Sequence, residues 1–380
     1  MKSILKSILT VFAFGAIVIF ASCKKDDFTG TPVIKYVRIT SPLSSDSLLI
    51  GAGQGQLIAI MGENLQSTVA VWFNDQKAAL TTTYITNTSI LVSVPNPIPN
   101  VVSNKVKLLF SNGDSLLYDF VVQISKPVVS SMLSEFVNEG SIAIIRGDFF
   151  YPPLSVMFEG GVTGEIEAIT ATEIQVKVPA GAQPGPVTVT TNFGSTTSDF
   201  WFRDNRNSFI NSDPYEGWWN DSYVVKPSDV KAGDPVTISG NYIRVKKSIG
   251  EWSWNEIAGG PASAMPVHSK NIPDEAITKP ADYNLKFEVN TLKPFNASII
   301  RINVGLNAED NNAYQWKPPY DTKGQWQTVV IPFEEVVASY AVKPTVNPNG
   351  YWTRLLVQGP GVWDADISFD NFRVVPKVLK

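Results

Sequence analysis

Apolar side chains recur two residues apart along much of this chain. Ile90, Val92 and Val94 do so, and Ile174, Val176 and Val178 repeat the pattern. Tyr283, Leu285, Phe287 and Val289 alternate with Asn284, Lys286, Glu288 and Asn290. Successive side chains of a strand point to opposite faces, so this period predicts strands with one face buried and one solvated. Further strands are expected at 298–304, 326–333, 352–358 and 367–374. No long stretch carries the helical period, and only Phe333 to Tyr340 has room for a helical turn or two.

The N-terminal segment departs from this pattern. Lys2 and Lys6 precede an apolar run, Ile8 to Ala21, broken only by Thr10. The run is short for a membrane span, and Ala21-Ser22-Cys23 follows. This predicts a secretory signal peptide over residues 1–22, which takes no part in the fold. The one cysteine of the chain stands where processing would occur. Phe20-Ala21-Ser22-Cys23 resembles a lipoprotein signal-peptidase box, with Phe at the position usually held by Leu. That resemblance implies an acylated Cys23, a tether over residues 23–30 and a lipid anchor in the outer membrane. Each buried CH₂ contributes only about 0.8 kcal/mol, so stable anchoring takes more than one acyl chain. Lys25-Asp26-Asp27 resembles the export signal that carries such lipoproteins to the outer face of certain Gram-negative outer membranes, which implies surface exposure.

Residues 31–125 and 126–204 are two copies of one pattern. Pro32-Val33-Ile34 matches Pro127-Val128-Val129, and Val71-Trp72-Phe73 matches Val156-Met157-Phe158. The apolar run Leu57 to Met61 with Gly62 matches Ile142 to Arg146 with Gly147. Both glycines follow an apolar strand, where a tight turn would use their freedom in φ. Trp72 and Trp201 lie in strand patterns and are expected in the core or at a domain boundary. Many short strands in under a hundred residues make a small β-sandwich. The two copies resemble the IPT/TIG immunoglobulin-like family, whose modules also serve as spacers.

Composition narrows the chemistry. A formal net charge of -4 and 17% charged residues leave no basic footprint for nucleic acid. One Cys and one His exclude an internal disulfide framework and any His- or Cys-rich metal site. His268, in a Pro- and Ser-bearing stretch, is expected to be an ordinary loop residue. No cofactor is called for. Asp366, Asp370 and Asn371 offer oxygen ligands for a structural Ca²⁺, without EF-hand spacing.

Residues 205–380 hold eight of the ten tryptophans, in surroundings rich in Pro, Gly and Asn. Trp218 and Trp219 are adjacent, Trp252 and Trp254 are two apart, and Tyr314, Trp316 and Trp352 follow. Indole is rigid and flat and is displayed at low entropic cost. A surface lined with it suits a polysaccharide, whose sugars have C–H faces and hydroxyl rims. In extended chain, one of Trp218 and Trp219 would be displayed, and Trp252 and Trp254 would share a face about 7 Å apart. Trp326, in a strand pattern, is expected in the core. Polar partners for the sugar are expected among Asn255, Glu256, Asn220, Asp221, Arg244, Lys246 and Gln315. This part should be a jelly roll of eight to ten strands, able to fold and bind alone. The chain as a whole is then all-β: two tandem immunoglobulin-like (IPT/TIG) sandwiches followed by a larger jelly-roll-like sandwich.

Lipoprotein signal, tandem IPT/TIG repeats and a Trp-rich β-domain together resemble the surface glycan-binding proteins of polysaccharide utilisation loci, of the B type. The resemblance implies a non-catalytic outer-surface binder of a neutral plant β-glucan such as xyloglucan or mixed-linkage glucan. It also implies, as partner, an outer-membrane glycan transporter with its lipoprotein lid. Two other readings stand beside it. A surface adhesin or assembly protein would use the same aromatic patch on another protein. A glycoside hydrolase would need two carboxylates about 5–9 Å apart, drawn from Glu216, Glu251, Glu256, Asp364 and Asp366.

Overall fold

The computed structural model describes residues 30–41, 48–218, 221–306 and 313–378. Cys23, the rest of the signal and tether up to residue 29, and Trp219 therefore lie outside the described residues. The chain divides into two compact units, one ending at Ile124 and one beginning at Ser125.

The first unit is a β-sandwich. One sheet runs Leu48–Leu49, Val33–Ile39, Leu57–Glu63, Ser89–Ser93, and the other Gln76–Lys77, Thr68–Phe73, Lys105–Phe110, Ser115–Asp119. The alternating positions meet in the middle, with Ile58, Ile60, Val71, Ile90 and Val106 fully enclosed. The second unit opens with a like sandwich. Its sheets are Val128–Met132, Ile142–Asp148, Glu173–Lys177, Glu165–Ile169 and Val162–Thr163, Leu154–Glu159, Gln183–Thr191, Gly194–Phe202. Trp72 and Trp201 are half-buried, and the Arg206 guanidinium lies 3.8 Å from the Trp201 ring centroid.

Gly62 and Gly147 have a different reason from the expected turn. Both sit inside strands, and neither has a left-handed φ; Asn64 and Phe149 do, at 57° and 61°. The first strand of each sandwich bulges opposite them, between Ile34 and Tyr36 and between Val129 and Ser131. A Cβ at Gly62 would lie 2.0 Å from the carbonyl oxygen of Val33, and one at Gly147 1.8 Å from that of Val128. Close backbone approach, not turn geometry, excludes a side chain there.

The C-terminal domain packs a six-stranded sheet on a four-stranded one. The larger sheet has the order Val224–Val225, Tyr242–Ile249, Trp363–Pro376, Tyr283–Thr291, Gln327–Pro332, with Ser208–Ile210 paired to the Trp363–Pro376 strand. The smaller has the order Asn255–Gly260, Trp352–Val357, Ile300–Leu306, Tyr314–Trp316. Leu285, Phe287 and Val289 enter the core from the larger sheet and Ile300, Ile302 and Leu355 from the smaller. Phe287 stacks on Phe372 with centroids 4.6 Å apart. The helical turn expected near 333 is Phe333–Ala338.

Strict alternation at 283–290 predicted a solvated polar face, and there the structure differs. Lys286, Glu288 and Asn290 are all buried. The loop 133–138 of the second sandwich covers Lys286 and reaches Glu288 through Arg373 and Thr328, while Asn290 donates to the Gly324 carbonyl at 2.9 Å. Glu135 Oε1 accepts from Lys286 Nζ at 2.6 Å, and Glu135 Oε2 from Arg373 Nη2 at 2.6 Å. Glu288 Oε2 accepts from Arg373 Nη1 at 2.7 Å, and Glu288 Oε1 accepts from Thr328 Oγ1 at 2.8 Å. Phe136 packs beside Ile238, Tyr242 and Trp326, and the Trp326 indole N–H donates to the Val236 carbonyl at 2.8 Å. Burial raises the Glu288 carboxyl above its usual range, although Arg373 pulls the other way. The second sandwich is thus part of the same packed unit as the C-terminal domain.

Candidate functional site

The smaller sheet of the C-terminal domain has a core face and an outer face. The rows Ala258, Leu355, Ile302, Tyr314 and Asn255, Val357, Ile300, Trp316 pair across the strands and point to the core side. The rows between them carry Glu256, Leu356, Arg301, Gln315 and Gly259, Arg354, Asn303 on the outer side.

Trp254 stands at the edge of this outer face, and Trp252 lies two residues before it in the turn that leads into the Asn255–Gly260 strand. Trp252 and Trp254 are 54% and 50% exposed, the only tryptophans among the described residues to be so open. The turn is closed by hydrogen bonds from Ser253 N and Ser253 Oγ to the Gly250 carbonyl. Trp252 has a left-handed φ of 56°, and its N–H donates to the Gly359 carbonyl at 2.7 Å. The strand-like i, i+2 geometry expected for this pair is therefore not what displays it.

Glu256 organises the polar part. Its Oε1 accepts from Trp254 Nε1 at 3.0 Å and pairs with Arg354 Nη2 at 2.9 Å. The Arg354 guanidinium lies 5.2 Å from the Trp254 centroid and 5.6 Å from that of Trp352. Cation–π contact holds both rings against the arginine. Trp352 is buried, and Trp218 caps it edge to face at 4.8 Å.

Trp218 reaches this place through glycine. Its N–H donates to the Gly259 carbonyl at 3.0 Å, and Gly217 bridges Gly259. A Cβ at Gly217 would lie 2.6 Å from the Gly259 oxygen. Upstream, the Glu216 carboxylate accepts from the N–H groups of Val267 and His268 at 3.2 and 2.9 Å and pairs with His268 Nδ1 at 2.9 Å. His268 is buried, not an ordinary loop residue.

Residues 202–376 match the family described as surface glycan-binding protein B xyloglucan binding domain, and residues 41–116 match the TIG domain family. The C-terminal domain belongs to the surface glycan-binding protein B family. Surface glycan-binding protein PbSGBP-B from Prevotella bryantii is similar over 92% of this chain and 99% of its own, with 25% identity and a TM-score of 0.65. A protein solved with a xylogluco-oligosaccharide shares the fold over 91% of this chain and 100% of its own, at 18% identity and a TM-score of 0.50. An IPT/TIG domain-containing protein of Bacteroides ovatus is 39% identical over 103 residues. The match takes in 26% of this chain and spans about a fifth of the length of that curated relative.

Within this surface glycan-binding domain the expected aromatic residues separate into groups. Trp252 and Trp254 are displayed, while Trp218 is half-buried over a buried Trp352. Trp316 turns to the core, 5.3 Å from Phe287 and Phe295 and 5.0 Å from Tyr320. Tyr314 packs there too, and burial raises its hydroxyl pKa. The Asn255 amide is spent locally, donating to Ser253 O and Oγ at 3.1 and 2.9 Å. Arg244 lies on the larger sheet and is held there by Asp366, at 2.8 and 3.0 Å. The polar groups beside the displayed Trp254 ring are Glu256, Arg354, Arg301 and Asn303. Only Glu256 was visible as a candidate, because Arg354 and Asn303 lie in apolar strand runs. Asp370 and Asn371 bond Ser239, and no cluster of three or more acidic, His or Cys side chains fit for a metal occurs among the described residues.

Proposed function

We propose that this chain is a non-catalytic lipoprotein of the outer cell surface that captures a neutral plant β-glucan, of the xyloglucan or mixed-linkage type. Trp252 and Trp254 stack on sugar faces, and Trp218 extends the platform over Trp352. The observation that carries this is the exposure of two tryptophans beside an ion pair that fixes one of them. A stacked pyranose buries its C–H face against indole at roughly 25 cal/mol per Å², while rim hydroxyls stay wet or bond to neighbours. The family to which the domain belongs is described as xyloglucan binding, and the relative solved with a xylogluco-oligosaccharide shares its fold.

Three of the five carboxylates a hydrolase could draw on are largely buried and engaged by structural partners. Glu216 holds His268, Glu256 holds Trp254 and Arg354, and Asp366 bonds Arg244. This supports a binder. The lipid on Cys23 would hold the domain at the membrane, and a glycan transporter with its lipoprotein lid would take over the captured chain. Affinity electrophoresis in gels containing xyloglucan or mixed-linkage glucan tests the proposal. The protein should be retarded while releasing no reducing sugar. Free migration in every glucan gel would leave the adhesin reading in its place.

A further inference from the structure

A cleft of about 420 Å³ opens on the larger sheet of the C-terminal domain, where the second sandwich meets it. We infer that it is a second saccharide site, which holds a short stretch of glycan independently of the Trp254 platform; the choice of ligand rests on the glucan-binding reading above. Asn284, Lys286 and Val330 line it from the C-terminal domain, and Ser131, Asp199 and Phe200 from the second sandwich. The first three stand on the outer face of the larger sheet, because the residues alternating with them, Leu285, Phe287, Val329 and Ile331, enter the core. Trp254 edges the outer face of the smaller sheet. The two sheets enclose the core between them, so the cleft and the platform lie on opposite sides of the domain.

Its size and lining choose the occupant. Ligand pockets commonly run from about 300 to 1,000 Å³, and the cleft falls within that range. Every cation that lines it already faces a carboxylate. Lys286 Nζ lies 2.6 Å from Glu135, Lys377 Nζ 3.3 Å from Glu334 and Arg146 Nε 3.8 Å from Glu173. That pairing removes the pull on an anion and favours a neutral ligand rich in hydroxyls. Lys286 has three N–H groups and gives one to Glu135. Asn284 and Gln327 add amides that both donate and accept, and Gln327 Oε1 takes the Tyr320 hydroxyl at 3.4 Å. The Tyr320 ring, held 5.0 Å from Trp316, and the half-exposed Val330 supply apolar surface. Amides and an ammonium suit a sugar's hydroxyl rim, and the apolar surface suits its C–H face.

The test is calorimetric titration of the full mature chain with a xylogluco-oligosaccharide. The parent protein should take up about two oligosaccharides per chain, one at each site. Trp252→Ala combined with Trp254→Ala should leave the cleft as the remaining site. Val330→Trp, which fills the cleft from an exposed position, should then remove that residual binding. Gln327→Ala should weaken it about tenfold and serves if Val330→Trp does not fold. A single oligosaccharide per parent chain, lost altogether when both tryptophans are replaced in a folded protein, would overturn the inference and leave the glucan-binding reading standing. Residual binding that neither cleft variant alters would overturn the inference too. No binding by the parent would overturn the glucan-binding reading, and the second site with it.

Discussion

Glu135 and Arg373 are 238 residues apart in sequence, and their side chains meet at 2.6 Å with 4% and 0% exposure. The contact joins the second sandwich to the last strand of the C-terminal domain. Lys286 shares the same carboxylate. Removing one partner of a buried ion pair leaves an uncompensated charge and costs about 3–5 kcal/mol. Glu135→Ala should lower stability by that amount in urea denaturation. A fragment of residues 205–380 loses Glu135 and Phe136 together. It should be markedly less stable than residues 126–380, and equal unfolding midpoints would show that the interface contributes little.

Trp254 and Trp363 separate display from packing. Trp363 is fully buried and donates its indole N–H to the Pro294 carbonyl at 3.1 Å. Trp363→Ala should cost about 3–5 kcal/mol of folding stability. Trp254→Ala should weaken glucan binding by about 2 kcal/mol or more, as a hot spot does, with the melting temperature nearly unchanged. Gel retardation and thermal melts on the two variants check both halves.

Gly147 is expected to refuse even a methyl group. Its Cβ would meet the Val128 carbonyl oxygen at 1.8 Å and Phe150 at 2.7 Å. Gly147→Ala should destabilise by about 2–3 kcal/mol, as overpacking does. Gly53 has nothing within 4 Å of its would-be Cβ, so Gly53→Ala should change stability by less than about 0.5 kcal/mol. Chemical denaturation of the two variants, with similar losses in both, would remove the close-approach explanation.

Asp370 gives the pH dependence a sign. Burial pushes its carboxyl well above the usual range, against hydrogen bonds from Ser239 and the Asn371 N–H. A raised folded pKa means the native state holds the proton more tightly than the unfolded chain. Stability from this group is therefore present below the unfolded value, about 3.9, and is lost as pH rises through the folded one. Asp370→Asn should be more stable than the parent at pH 7, with the difference shrinking toward pH 4. One proton limits the slope to about 1.4 kcal/mol per pH unit. Glu288 shifts in the same direction, and its charge is among the causes that raise Asp370, so the difference between the two proteins reports Asp370 together with its coupling to Glu288. Parallel stability curves from pH 4 to 7 would count against it.

Much of the architecture was legible from residue order alone. Period two in Ile90, Val92, Val94 and in their counterparts Ile174, Val176, Val178 marked core-facing strands, and all six side chains are buried. Phe287 and Leu285 declared their face in the same way. Alternation reports only that two faces differ, not what covers the second one. Lys286 and Glu288 read as solvated for that reason: Lys286 pairs with Glu135, more than a hundred residues away, and Glu288 pairs with Arg373, which holds that same Glu135. The aromatic residues show the same division. Their number and clustering pointed to one domain, because so many indoles in loop-like sequence exceed what packing needs. Indole is equally suited to a core and to a sugar face, so sequence could not sort Trp254 from Trp316 or Trp352. The turn at Gly250 to Ser253, the Glu256–Arg354 pair and the depth of each strand in the sheet made that choice. The Glu256–Arg354 pair joins distant segments, and it exists only once the chain has folded.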